Sequence, residues 1–371
     1  MSHALFVDVI LPLALPKLLT YSVPHELQAA VGVRVAVQVG RKMYAAIVQR
    51  VHSEVPPYST KPVVSILDNA PLVNEHQLEL WSWISQYYLC SMGEVMKAAL
   101  PAGLKAEDGY KPRYETLVSL HPDIKCEGDL NEFLVKTSRA PMQEKLLLAY
   151  ALMAMPINFS SPFQVQKKLL LEKTQATDAV LKACVGKKIF TLVQHEVSRL
   201  DSNNANEVVE MPTLSAAQQK AFDEVKNHFA DKQVALLHGV TSSGKTEIYM
   251  RLSEEAMAQG KQVLYMLPEI ALTAQLINRL KKVFRSVGVY HSKFSDAQRV
   301  EVYQNLLKNA GAPTLILGVR SSLFLPFSNL GLVIVDEEHE NTYKQQDPAP
   351  RYHARDTAIV MAAWHGAKVL L

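Results

Sequence analysis

A chain of 371 residues with 48% hydrophobic content can bury several cores, so two or three domains are expected. The formal net charge of +3 excludes a globally basic surface, and any contact with nucleic acid must be a local patch. Cys90, Cys126 and Cys184 stand far apart with no C-x-x-C pairing, so neither a zinc site nor a disulfide framework can be read from them. The apolar N-terminus carries Asp8 and prolines but no basic start, and no apolar run reaches membrane-spanning length, so the cytoplasm is the default location.

The first hundred residues look mostly β. Residues 4–10 are strand-like, and residues 31–39 alternate with a period of two. Gly40-Arg41-Lys42 then makes a basic turn into a return strand over 44–51, and an extended run follows at 62–67. Residues 74–89 have helical periodicity and carry Trp81, Trp83, Tyr87 and Tyr88, an aromatic cluster that reads as core, with a base-stacking platform as the alternative. A β-rich, barrel-like module closed by a helix is expected over residues 1–105.

The stretch 101–109 breaks the pattern and marks a boundary. Beyond it come a strand at 114–120, an apolar helix at 140–155 started by Pro141, a helix opened by Ser161-Pro162 and a third at 179–185 that ends at Gly186. Lys187-Lys188 leads into a basic β-element, which completes the outline of a winged helix over 106–198. A polar linker is expected at 199–211.

From Leu214 the pattern alternates β and α, so a RecA-like P-loop lobe with a mainly parallel sheet is expected over 212–371. Gly239 to Thr246 reads G-V-T-S-S-G-K-T, the P-loop pattern, between an apolar strand and a helix. Gly239, Ser242, Ser243 and Gly244 would wrap phosphate with backbone N–H groups, Lys245 would reach the β- and γ-phosphates, and the Thr246 hydroxyl would ligate Mg²⁺. Leu332-Val-Ile-Val335 ends in Asp336-Glu337-Glu338-His339, where Asp336 is placed to hold Mg²⁺ and Glu337 to polarise water. Gln218, one helix upstream, could pair with an adenine edge, while Ser215 beside it suits a helix N-cap. The segment from Pro268 to Gln275, which includes Thr273, starts a helix that continues to Arg285 and offers N–H groups and cations to a phosphate backbone. Arg320 follows a strand at 314–317. Tyr343 to Asp356 then interleaves rings with cations, including Lys344, Arg351 and Arg355, which suits stacked bases and held phosphates.

The series LSAAQ, GVTSSGKTE, LPEIALTAQ, YHSKFSDAQR, GVRSSLFLPF, VIVDEEHE and YKQQD-x-x-x-RYHARD resembles the N-terminal half of the primosomal protein N′ (PriA) family, bacterial replication-restart helicases of superfamily 2. The resemblance implies an ATP- and Mg²⁺-dependent 3′-to-5′ DNA helicase that recognises abandoned forks and leads to reloading of the replicative helicase. It implies forked and single-stranded DNA, primosome proteins and single-strand DNA-binding protein as partners, a nucleoid-associated cytoplasmic location, a monomer, and zinc only in a part of the family beyond Leu371. It also gives His339 the coupling of the ATP site to DNA, and it maps a 3′-end pocket onto Tyr21, Gly40, Arg41, Lys42 and Lys61. Two departures stand out. Thr20 occupies a position that is usually acidic in the family, and Lys368 to Leu371 reads as a buried strand that stops without a cap, as in a fragment. Another superfamily 2 DNA translocase, or a fragment that binds DNA without enzymatic turnover, is the alternative reading.

Overall fold

The computed structural model describes residues 5–107, 109–137, 139–200, 209–240 and 243–371. The chain divides into two units: Met1–Tyr110 together with Leu200–Leu371, and Lys111–Arg199.

In the first unit, β1 (Leu5–Ile10), β2 (Leu19–Val23), β3 (Arg34–Val39), β4 (Lys42–His52) and β5 (Ser65–Ile66) form an antiparallel sheet in the order β2-β1-β4-β3-β5. Its ends meet where Ser22 donates to the Lys61 carbonyl at 3.0 Å and Val63 donates to the Ser22 carbonyl at 2.9 Å, so the sheet closes into a barrel. Alternate residues, among them Val7, Val9, Val35, Val37 and Tyr21, fill its interior. Helices α1 (Glu75–Tyr87), α2 (Met92–Ala99) and α3 (Ala102–Lys105) follow, and the first two open on capping boxes, Asn74 with Gln77 and Ser91 with Glu94. Arg34 pins the chain that leaves this module: it is paired with Asp68 at 2.7 Å and donates to the carbonyls of Leu104 and Ala106.

The second unit has the winged-helix architecture. It comprises β6 (Tyr114–Leu120), α4 (Glu127–Thr137), α5 (Pro141–Ala154), β7 (Val165–Gln166), α6 (Lys167–Thr174), α7 (Asp178–Gly186) and β8 (Phe190–Glu196). β6 pairs antiparallel with β8 along its length and with β7 on its other side. The helix expected from Ser161 begins only at Lys167, because the Asn158 side chain accepts from the N–H groups of Ser160 and Ser161 and holds a turn there. Helix α4 has no counterpart among the sequence expectations.

The remainder of the first unit is the parallel lobe: α8 (Ala216–Asp231), β9 (Val234–Ala235), α9 (Lys245–Ala258), β10 (Gln262–Met266), α10 (Ala274–Val283), β11 (Val287–Tyr290), α11 (Asp296–Lys308), β12 (Leu315–Gly318), β13 (Leu330–Val335), α12 (Ala354–Trp364) and β14 (Lys368–Leu370). The strands lie in the order β11-β12-β10-β13-β14-β9, and every pairing is parallel. Such a sheet must be covered on both faces. Val263, Tyr265, Leu332 and Ile334 pack in one cluster with α8, α9 and α10. Their sequence neighbours Leu264, Met266, Val333 and Val335 belong to a second cluster, which includes Trp81, Ile84, Val95 and Met96 of α1 and α2. The helices of the first hundred residues thus share a core with the lobe, a core that also takes in Ile10 and Ile47 of the barrel.

Hydrogen bonds seal that join. Gln77 donates to the Phe324 carbonyl at 2.7 Å and to the Tyr303 hydroxyl at 3.1 Å, Asn74 donates to the Phe327 carbonyl, and Tyr303 donates to the Leu72 carbonyl. Gln77 is 4% exposed, so its two bonds are made away from water. Gln77→Ala removes half of a capping box and leaves the Phe324 carbonyl short of a partner. We expect it to destabilise the first unit by about 2–4 kcal/mol. Urea unfolding of residues 1–371 measures this, and an unchanged midpoint would show that the join contributes nothing to the unit's stability.

Candidate nucleotide and DNA site

In a parallel sheet the loops at the carboxyl ends of the strands gather on one side. Gly244 delivers the chain to α9 with φ +83°, a left-handed conformation that favours glycine, and a Cβ there would lie 2.1 Å from Gln218 Nε2 and force that amide to move. Lys245 is the first residue of α9 and Thr246 the second, while Ser242 lies outside the described residues. The Gln218 amide is engaged at both ends: its oxygen accepts from Ser215 N–H at 2.8 Å in a capping box, and its Nε2 donates to the Gly244 carbonyl at 3.2 Å. The cap of α8 therefore also braces the phosphate loop.

Across from Lys245 the chain leaves β13. Asp336 N–H continues the sheet by donating to the Met266 carbonyl, and Glu337 then reverses the chain at φ +48°, a conformation that costs a side-chain-bearing residue about 1–3 kcal/mol. Lys245 Nζ donates to Glu337 Oε1 at 3.1 Å, and His339 Nε2 lies 3.8 Å from the other carboxylate oxygen. Sequence reasoning missed what surrounds Asp336. The Tyr249 hydroxyl from α9 donates to its Oδ1 at 3.3 Å, and the Tyr265 hydroxyl from β10 donates to its Oδ2 at 3.1 Å. Burial raises the Asp336 pKa above the ordinary carboxylate value, opposed by the Tyr265 hydrogen bond and the Lys245 charge. Burial likewise raises both tyrosines, with the Asp336 charge adding to it, so their hydroxyls stay protonated donors.

The segment after this carboxylate is tied to it directly. The Tyr343 hydroxyl donates to the Asp336 carbonyl at 2.7 Å, and Arg355 Nη1 donates to Glu338 at 2.5 Å. Arg320 donates to the carbonyls of Thr342 and Lys344, and Arg351 to the Gln346 carbonyl and Asp347. The arginines named from the sequence thus shape this loop, while Lys344 donates to the Arg351 carbonyl and lies 5.2 Å from the Tyr88 ring. Thr273 is the N-cap of α10, its hydroxyl accepting from Leu276 N–H, so the helix starts at Ala274, six residues after the proline at 268.

On the barrel, Tyr21 is buried and its hydroxyl donates to the Gln38 carbonyl, beside the exposed turn of Gly40, Arg41 and Lys42. Lys61 Nζ reaches the Gly40 carbonyl at 3.4 Å, which brings Tyr21, Gly40 and Lys61 together. Thr20 is not alone: it faces Asp8 on the paired strand and donates to its carboxylate at 2.6 Å, and the Tyr58 hydroxyl donates to Thr20 at 3.2 Å.

Family models match three stretches: a PriA 3′DNA-binding domain (3′BD) over residues 8–101, a winged helix domain described for the PriA helicase of Bacteroidota over 115–197, and a DEAD/DEAH box helicase domain over 215–363. The chain is 34% identical to the replication restart protein PriA of Haemophilus influenzae, an alignment covering 98% of this chain and 48% of that one. It is 31% identical to the Chlamydia trachomatis protein of the same name, over 99% of this chain and 48% of that one. For the Bacillus subtilis protein the identity is 30%, over 95% and 50%. The chain therefore spans about half the length of the curated relatives it matches. Among solved structures, the type ISP restriction-modification enzyme LlaBIII bound to DNA aligns at 16% identity and a TM-score of 0.34, over 46% of this chain and 13% of that one.

The raised Asp336 pKa makes a pH-dependent prediction. A carboxylate must be ionised to bind a cation, so with Asp336 in the role of Mg²⁺ ligand, Mg²⁺-dependent nucleotide binding is expected at high pH and is expected to be lost as pH falls through the raised value. Tyr265→Phe removes the hydrogen bond that opposes the rise, so its midpoint shifts to higher pH. Titration of a fluorescent nucleotide with Mg²⁺ across the acidic range checks this, and identical midpoints would show that the tyrosine does not act on the carboxylate.

Proposed function

The chain belongs to the PriA family of replication restart proteins, and from that premise we propose that it is the fork-reading and nucleotide-binding half of a 3′-to-5′ DNA helicase that reopens stalled replication. The carrying observation is one connected set of hydrogen bonds: Lys245 to Glu337, Tyr249 and Tyr265 to the Asp336 carboxylate, and Tyr343 from the cation-rich loop to the Asp336 backbone. A DEAD/DEAH box domain uses ATP, with Mg²⁺ as its usual companion.

The residues present fit that cofactor pair. Among the described residues no group of three or more His, Cys, Asp or Glu converges, so a cation here would be held by the half-buried Asp336 carboxylate and the Thr246 hydroxyl together with phosphate oxygens. Few protein ligands, all oxygen, is the mode that suits Mg²⁺, which when bound neutralises phosphate charge. Lys245 adds a charge-assisted hydrogen bond to the outer phosphates, and Glu337 accepts the proton side of an attacking water. His339, beside Glu337, and Arg355, on Glu338, carry changes in the 343–356 loop to those carboxylates. Thr273, Arg320 and Lys344 lie along the proposed DNA face. Primosome proteins and single-strand DNA-binding protein are the proposed partners, and residues 1–371 alone are proposed to bind DNA and nucleotide without productive turnover.

Lys245→Ala is expected to abolish ATP-Mg²⁺ binding, since removing the ammonium costs about 1.5–3 kcal/mol for each charge-assisted hydrogen bond it makes to phosphate. Equal nucleotide affinity in the variant would remove the phosphate-loop assignment.

For the barrel we propose that it reads a free 3′ end. The hydroxyl pair of Thr20 and Tyr58 backed by the Asp8 carboxylate offers hydrogen-bond acceptors to a 3′-OH and repels a 3′-phosphate, so the negative charge that Thr20 lacks is supplied by the neighbouring strand. Forks with a free 3′-OH are expected to bind more tightly than forks with a 3′-phosphate, and Asp8→Asn narrows the margin while Lys61→Ala weakens both. Fluorescence anisotropy measures this; equal affinities for both ends, unchanged in either variant, would mean that the barrel does not read ends.

A further inference from the structure

We propose that the Trp83–Tyr87 ring stack on α1 is a base-stacking platform for single-stranded DNA, placed beside the loop that carries Lys344 and His353. The proposal rests on the DNA-binding reading above and adds to it a binding surface away from the 3′-end pocket.

Of the aromatic cluster in α1, only Trp81 is fully buried. Trp83 and Tyr87 stack with ring centroids 4.7 Å apart and planes 15° from parallel, and Tyr88 meets both edge-on. One face of Tyr87 is thus covered by Trp83, yet the residue is 65% exposed, so its other face is open to solvent. Leu89, next but one, is 91% exposed and sits at φ +50°, an unfavourable combination for a leucine with nothing to pack on. A rigid, pre-stacked ring with a free face is the element that holds an unpaired base without regard to sequence.

A cation lies beside this stack. Lys344 Nζ lies 5.2 Å from the Tyr88 ring, and the Tyr88 hydroxyl accepts from the His353 N–H at 3.1 Å, so the cluster abuts the loop assigned to single-strand binding. Two cavities, of about 650 and 400 Å³, meet at Ala14 and Glu94. Gln86 and Leu89, on either side of the tyrosine pair in sequence, line the first together with Lys17; Lys97, Arg299 and Arg320 line the second. Basic side chains near exposed rings suit the alternation of phosphate and base in a single strand, although Glu94 and Glu269 also line these cavities.

The test uses the 371-residue chain and a short circular single strand, which has no 3′ end, alongside a fork with a free 3′-OH. We expect Tyr87→Ala to weaken circle binding by about five- to a hundred-fold, the range for losing one stacked base. Tyr87→Trp should retain it, and both variants should keep nucleotide affinity. A 2-aminopurine in the strand should be quenched by the unaltered chain and less so by Tyr87→Ala. Circle affinity and quenching unchanged in Tyr87→Ala would overturn the platform, whatever else docks on α1. Failure of the unaltered chain to bind the circle while it binds the fork would overturn it too, and failure to bind either DNA would instead bring down the DNA-binding reading itself.

Discussion

The fold turns on a sheet that cannot tolerate an open face. Six parallel strands leave alternate side chains on opposite sides, and water must be excluded from both. On one side α8, α9 and α10 suffice. On the other, α11 and α12 belong to a cluster that also takes in α1 and α2, so residues far upstream complete a core that the lobe does not fill alone. The same alternation aims Tyr265 toward α9 and its Tyr249, where the two rings meet edge-on and their hydroxyls converge on Asp336. Packing and site geometry are therefore one constraint: the residue that fills the core on that face also orients the carboxylate.

That carboxylate is the junction of three otherwise separate segments. Its oxygens answer to α9 and β10, its backbone carbonyl to Tyr343, and the adjoining Glu337 to the phosphate-loop lysine. Arg320 and Arg355 hold the loop that carries Tyr343. A shift of that loop by a fraction of an ångström would be felt at the Asp336 and Glu337 carboxylates, because hydrogen bonds lose strength steeply with distance and angle.

What was legible in the sequence was what is local. The phosphate loop, the strand ending in Asp336-Glu337-Glu338-His339 and the β3–β4 hairpin each declare themselves within a dozen residues, since their chemistry needs adjacent residues in fixed order. Helix starts were less legible. Thr273 and Asn158 show why: a side chain that caps or turns the backbone decides the boundary, and several positions nearby could have done so. Tyr249 and Tyr265 were invisible because a tyrosine in an apolar strand or helix looks like core, and only its neighbour's charge reveals a second role. Asp8 was hidden in the same way, across a strand pair instead of along a strand. The shared core was least legible of all, since periodicity tells which face of α1 is apolar but not what lies against it.

The join between α1 and the lobe has a consequence for how the molecule is made. Gln77 and Tyr303 are separated by 226 residues in the chain. At ordinary synthesis rates of about 5–20 residues per second, the apolar faces of α1 and α2 emerge roughly 10–45 s before the segment that covers them. Local pairings close early and such distant ones late, so the barrel can form at once while its helices wait. During that interval the nascent chain carries an uncovered hydrophobic surface, and a chaperone that shields it would spare the protein its most exposed moment.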